Sequence, residues 1–214
     1  MAEQYADNKG RIVVEKLIQT IRENKEYLSE VDGAIGDGDH GVNMAKGFAL
    51  AAERLTEEMG LSEGLKTLGR TLIMEIGGAM GPLYGSFFKA LAGVCKNSAQ
   101  IDAQVFGRMI EAGYTAVVEL GQAKVGDKTL VDTLHPALEA YKEALSDGEG
   151  FKDALQRMTG AAEQGKESTR NLVAKVGRAS RLGERSKGAL DAGAASCFLI
   201  LKSMADTIAL YLLE

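Results

Sequence analysis

The sequence predicts an all-α fold, an up-and-down array of helices with one chemically distinct end. Three observations predict it. Helix-forming Ala, Leu, Glu, Lys and Met are plentiful, Pro occurs twice and Trp not at all. Apolar residues recur with a 3.6-residue period along most of the chain, and no alternating strand pattern competes. Glycine supplies 26 of 214 residues, well above the usual ~7%, and much of it is concentrated between the periodic segments.

The periodicity gives about eight helical segments. The first spans about 8–25, with Ile12, Val13, Leu17, Ile18 and Ile21 on one face. The second spans about 43–58. The third begins at Ser62, a good N-cap, and ends near Ile76. The fourth covers about 82–94 and the fifth about 102–120. The sixth covers about 128–145, where Pro136 is expected to bend it. The seventh covers about 150–176, with a break near Gly165, and the last about 192–213. The chain reads as one domain, 1–214, without internal repeat or linker.

Short connections make successive helices antiparallel, so alternate loops share an end. The even-to-odd loops, 59–61, 96–101 and 146–149, are plain. The odd-to-even loops are rich in glycine and polar residues: VDGAIGDGDHGVN (31–43), GGAMGP (77–82), GQAKVGDKT (121–129) and GRASRLGERSKGALDAG (177–193). Glycine caps account for one residue per loop, but not for runs of four in the first and last. Four such loops at one end of an array point to a ligand site approached closely by backbone.

The composition narrows the partner. Hydrophobic residues make up 45%, charged residues 26%, and the net charge is −5, so nothing favours nucleic acid or an anionic membrane. No run reaches the ~20 apolar residues of a membrane span, and 1–11 is too polar for a signal peptide. A cytoplasmic protein with Cys95 and Cys197 as buried free thiols is expected.

The first loop places Asp32, Asp37 and Asp39 within eight residues. Three carboxylates so close repel one another unless a cation lies among them, and hard oxygens on a flexible loop suit Mg²⁺ or Ca²⁺. An EF-hand is excluded, because Phe48 stands where its closing Glu is required. The second loop runs straight into a helix, whose free amides can bind phosphate, although no Walker pattern is present. In the third, Asp127 is expected to cap the following helix, and Leu130 opens an apolar surface suited to a flat base. In the fourth, Arg178 lies between Gly177 and Ala179 as a phosphate-binding candidate. His40 is a candidate nucleotide contact or a residue supporting the metal ligands; His135 reads as packed. No Ser–His–Asp or Cys–His set is evident in the sequence.

The motifs GDGDHGVNM, GGAMGPLYG, GDKTLVDTL and GRASRLGERSKGALDAGAAS, in this order and spacing, resemble the ADP-binding L subunit of bacterial dihydroxyacetone kinase over nearly the whole chain. The resemblance implies an eight-helix antiparallel barrel with a nucleotide and two Mg²⁺ ions at one end. It implies that Asp32, Asp37 and Asp39 bind the metal. It implies that His40, Gly41, Val42, Asn43, Ala79, Met80, Gly121, Leu130, Asp191, Ala192 and Gly193 line the nucleotide site, with Arg178 near the transferred phosphoryl. In the phosphotransferase-system form, bound ADP is recharged to ATP by an M subunit, and the γ-phosphoryl passes to dihydroxyacetone held on a K subunit. The family usually has a small hydroxyl residue in place of Met80, and His-x-Asp-Pro-Gly-Ala-x-Ser in place of Ala-Leu-Asp-Ala-Gly-Ala-Ala-Ser (189–196). These departures point to a paralogue serving another small sugar or ketose, and two alternatives stand beside the first reading: an ATP-dependent kinase subunit for another small ketose such as a tetrose, and a non-catalytic nucleotide-binding regulatory partner. The oligomeric state, a homodimer included, is left open.

Overall fold

A computed structural model describes residues 3–213. Strand β1 (Gln4–Ala6) leads through a 3-10 turn (Asp7–Gly10) into α1 (Arg11–Glu23), which buries Val13, Val14, Leu17, Ile18 and Ile21. Asn24 leaves helical geometry at φ −101° and ψ 16°, and its side-chain amide donates to the Thr20 carbonyl at 2.8 Å. The chain then resumes as α2 (Lys25–Gly33). The first helix is therefore one rod interrupted at Asn24, and it continues beyond the expected end at 25.

The remaining helices are α3 (His40–Ala52), α4 (Leu61–Glu75), α5 (Met80–Cys95), α6 (Ala103–Gly121), α7 (Val131–Ser146), α8 (Phe151–Ser168) and α9 (Ala192–Tyr211). Counted as rods, α1/α2 and the seven others give eight among the described residues. Each rod packs on the next in sequence, and α1 packs along α9 to close the ring. Thr20 and Ser203 join that seam through their hydroxyls at 3.1 Å. Leu17, Phe48, Phe88, Phe106 and Tyr141 are fully buried in the interior. Helix glycines permit close crossings: a Cβ on Gly69 of α4 would stand 2.7 Å from the Gly85 carbonyl of α5.

Several boundaries differ from expectation. A strand pair does exist: β1 pairs antiparallel with β2 (Gln100–Asp102) and ties the N-terminal segment to the α5–α6 connection. Three residues per strand are too few for an alternating pattern to stand out. Helix α8 stops at Ser168, without a break at Gly165, instead of running to 176. Ser168 and Thr169 turn their hydroxyls onto the Gly165 and Lys166 carbonyls, both at 2.7 Å, and so compete with continued helical bonding. A 3-10 turn (Thr169–Asn171) follows, and the fourth glycine-rich loop contains two short 3-10 turns within Arg178–Ser186, separated by a kink at Gly183 (φ 55°, ψ −131°).

Helix α7 starts at Val131 rather than 128, because Lys128 is left-handed at φ 63°. Asp127 does not cap it: the Asp127 carboxylate accepts from the Lys124 amide at 2.8 Å, and Asp132 holds the loop amides instead. Helix α9, with a mean hydropathy of 1.4 over its most apolar window, has the length and composition of a membrane span, contrary to the sequence reading. That window is 67% buried among the other helices, as expected of a barrel stave. Cys95 and Cys197 are buried free thiols.

Candidate functional site

The glycine-rich loops converge on one cavity of about 790 Å³. The first residues of α3, α5, α7 and α9 (His40, Met80, Val131 and Ala192) line it, as do Leu120 and Gly121 at the end of α6. Four helix N-termini therefore open onto one space. Each contributes roughly half a positive charge, although the first amides of α7 are already used: Val131 donates to the Thr129 hydroxyl, and Asp132 and Thr133 donate to the Thr129 and Leu130 carbonyls.

The metal candidates lie on the loop between α2 and α3. The Ile35 and Gly36 amides both donate to the Asp32 carbonyl, at 3.1 and 2.6 Å, so the chain turns back at once. Gly38, at φ 76°, then takes a left-handed conformation that a side chain would strain. The result brings Asp32, Asp37 and Asp39 together, with one carboxylate oxygen of each within 4.8 Å of the others. The His40 amide donates to Asp32 at 3.3 Å. Arg178 forms an ion pair with Asp37 across the cavity mouth. Three clustered hard-oxygen donors beside a cationic side chain fit a divalent ion that meets phosphate.

Beneath this loop a hydroxyl network ties three helices. Ser196 of α9 lies 2.9 Å from His40 Nε2 and 2.6 Å from the Tyr84 hydroxyl. Tyr84 of α5 reaches the Gly193 carbonyl at 2.9 Å. Burial lowers the His40 pKa to about 4, against the opposing pull of Asp32, so the ring is neutral at pH 7. Ser196 is fully buried; the Ser196–His40 contact positions the ring and offers no accessible nucleophile.

At the start of α9, Asp191 caps the helix by accepting from the Ala194 amide at 2.7 Å. Burial pushes its pKa up to about 7, although the Ala194 amide and Lys128 oppose the shift. Asp132, itself buried, accepts from the Gly126 and Thr129 amides at 2.5 and 2.7 Å and shapes the α6–α7 loop. Leu83, Val117, Leu120 and Leu130 give the cavity an apolar side.

Thus Asp32, Asp37, Asp39, His40, Asn43, Ala79, Met80, Gly121, Leu130, Arg178, Asp191, Ala192 and Gly193 line one cavity. Gly41 and Val42 do not. A Cβ on Gly41 would meet the Lys25 carbonyl at 2.0 Å, so Gly41 seats α3 against α2; Val42 is 48% exposed and is absent from the cavity lining. His135, whose ring centroid lies 5.4 Å from that of Tyr114, is also absent from the lining. Sequence reasoning missed Tyr84, Lys128, Asp132 and Ser196. All four stand inside the quoted motifs, Tyr84 in GGAMGPLYG, Lys128 and Asp132 in GDKTLVDTL and Ser196 in GRASRLGERSKGALDAGAAS, but only the fold shows which partners each one meets.

The DAK2 domain matches residues 34–206. The chain is 40% identical over 192 residues to the ADP-binding subunit DhaL of PEP-dependent dihydroxyacetone kinase 1 from Listeria innocua, covering 88% of this chain and 90% of that one. It is 38% identical over 196 residues to the ADP-binding subunit DhaL of the PTS-dependent dihydroxyacetone kinase from Lactococcus lactis, covering 91% and 94%. Among solved structures, the native dihydroxyacetone kinase of C. freundii superposes with a TM-score of 0.68 at 25% identity, over 92% of this chain and 34% of that longer one.

Proposed function

The chain belongs to the DAK2-domain family of ADP-binding dihydroxyacetone kinase subunits, and we propose that it carries a magnesium-bound adenine nucleotide whose γ-phosphoryl passes to dihydroxyacetone on a K subunit. In this reading it is a cytoplasmic phosphotransferase subunit, active only with its partners. An M subunit of the phosphotransferase system recharges the ADP in place.

The observation that carries the proposal is the meeting of four helix N-termini and three carboxylates at one cavity. An acidic chain repels a nucleotide at long range, so local charge must invert that repulsion. Amides at the starts of α5 and α9 can receive phosphate oxygens. Asp32, Asp37 and Asp39 would hold two Mg²⁺ ions, which supply charge neutralisation at the β- and γ-oxygens. Neutral His40, fixed by Ser196, presents its ring to the nucleotide without adding charge. Leu130 and Leu120 offer an apolar face to the base and exclude water. Arg178, 65% exposed at the mouth, stands where a departing phosphoryl group would pass to an acceptor subunit.

The test is chemical. Purified protein is denatured and the released nucleotide identified. The expected result is ADP, which is recharged in the intact protein only when the M subunit and its phosphoryl donor are added. An empty protein that consumes free ATP with a K-type partner would replace this reading with the ketose kinase alternative, to which the Met80, Ala189 and Ala192 departures point. Nucleotide binding without transfer to any partner would instead support the regulatory alternative.

A further inference from the structure

Lys128 stands apart from every other cation among the described residues. It is 2% exposed, its backbone is left-handed at φ 63°, and it lines the cavity. Its ammonium donates to the Thr169 carbonyl at 2.5 Å and to the Ala189 carbonyl at 2.6 Å. A non-glycine residue in this backbone region costs on the order of 1 kcal/mol and persists where its surroundings over-determine it. Burying an ammonium costs more unless its donors are used. Both costs fall on one residue whose partners lie on two other segments.

Those partners explain the arrangement. Thr169 is the C-cap of α8, and Ala189 precedes the N-cap of α9. The Thr169 hydroxyl also accepts from the Asp191 amide at 3.1 Å, and the Gly188 amide donates to the Arg170 carbonyl at 2.7 Å. The α6–α7 loop and the segment before α9 are thus joined through the end of α8, and the Lys128 ammonium reaches both junctions. Leu130 follows Lys128 by two residues, and Asp191 follows Ala189 by two. Carbonyls alone face the ammonium at hydrogen-bond distance, and lysine is a long donor without an acceptor, so the match is chemical as well as steric.

We propose that Lys128 is a positioning residue for the nucleotide, tying the Leu130 wall to the Asp191–Gly193 wall so that the cavity is set before ligand arrives. This rests on the reading of the cavity as a nucleotide site. Removing the tie leaves ADP to order both walls on binding, which weakens affinity without touching the carboxylate trio.

The experiment compares wild-type protein with Lys128→Gly, which accepts the left-handed backbone, and Lys128→Ala, which does not. ADP affinity is measured by calorimetry, Mn²⁺ binding by electron paramagnetic resonance, and amide exchange by mass spectrometry on nucleotide-free protein. The expected result for Lys128→Gly is about a tenfold rise in the ADP Kd, unchanged Mn²⁺ binding, and faster exchange confined to 122–131 and 187–194. Butylammonium, which replaces the missing stem and donor, restores part of the affinity. The proposal is overturned by an unchanged ADP Kd in both variants, or by exchange that rises throughout the helices while Mn²⁺ binding is lost. Wild-type protein that binds no ADP defeats the reading of the site; the exchange pattern, which needs no nucleotide, still decides whether the tie exists.

Discussion

Asp191 shows how one side chain couples fold and site. It caps α9 while standing in the cavity wall, and burial raises its pKa to about 7. An unfolded carboxyl titrates near ~3.9. The folded state therefore holds the proton more tightly, and this group's contribution to stability is complete below the unfolded value and lost as pH rises through about 7. The expected outcome is that the urea midpoint of nucleotide-free protein falls between about pH 4 and pH 7. Asp191→Asn, which keeps a good N-cap, should remove much of that fall. An unaltered pH profile in the variant would show that burial at this carboxyl is not what the stability reads. Individual residues were unevenly legible in the sequence. The aspartate trio could be named because three like charges in eight residues need an explanation. Asp132 and Lys128 could not, since each looks like ordinary helix-start polarity until its partners in distant segments are known.

Among the elements, the helices themselves were legible from apolar periodicity, but their ends were not. The end of α8 turns on two hydroxyls that bond backward, and the interruption at Asn24 on one side-chain amide. Propensity does not register either. Glycine misled in a specific way. Its concentration between helices pointed to loops, yet several glycines act inside helices where backbones cross. Gly41 is the sharpest case, because it lies in a motif that reads as ligand-binding while the structure seats it against α2. Gly41→Ala is expected to force α3 away from the Lys25 carbonyl and to cost about 2–3 kcal/mol of stability, measured by urea unfolding. A change below about 0.5 kcal/mol would mean that the crossing relaxes freely.

The molecule as a whole follows from connection length. Short plain loops at one end and long glycine-rich loops at the other make the barrel asymmetric, and that asymmetry was readable before any coordinates. Two consequences were not readable from the residue pattern alone, although the family resemblance implied a closed barrel. Closure of α1 on α9 depends on the full course of the chain. Convergence of four helix starts depends on closure, because only a ring aims all of them at one axis. In the proposed reading the same geometry would let an acidic chain receive a polyanion: helix ends, and ions held by the aspartate trio, would overcome the long-range repulsion.

ADP titration by calorimetry, with Mg²⁺ and then with excess chelator, on wild-type protein and on Asp37→Asn, puts that electrostatic account at risk most directly. Tight binding that requires Mg²⁺, and that weakens at least a hundredfold in chelator and in a still-folded Asp37→Asn, is the expected result, a loss of about 2.7 kcal/mol or more. Equal affinity under all these conditions would contradict it.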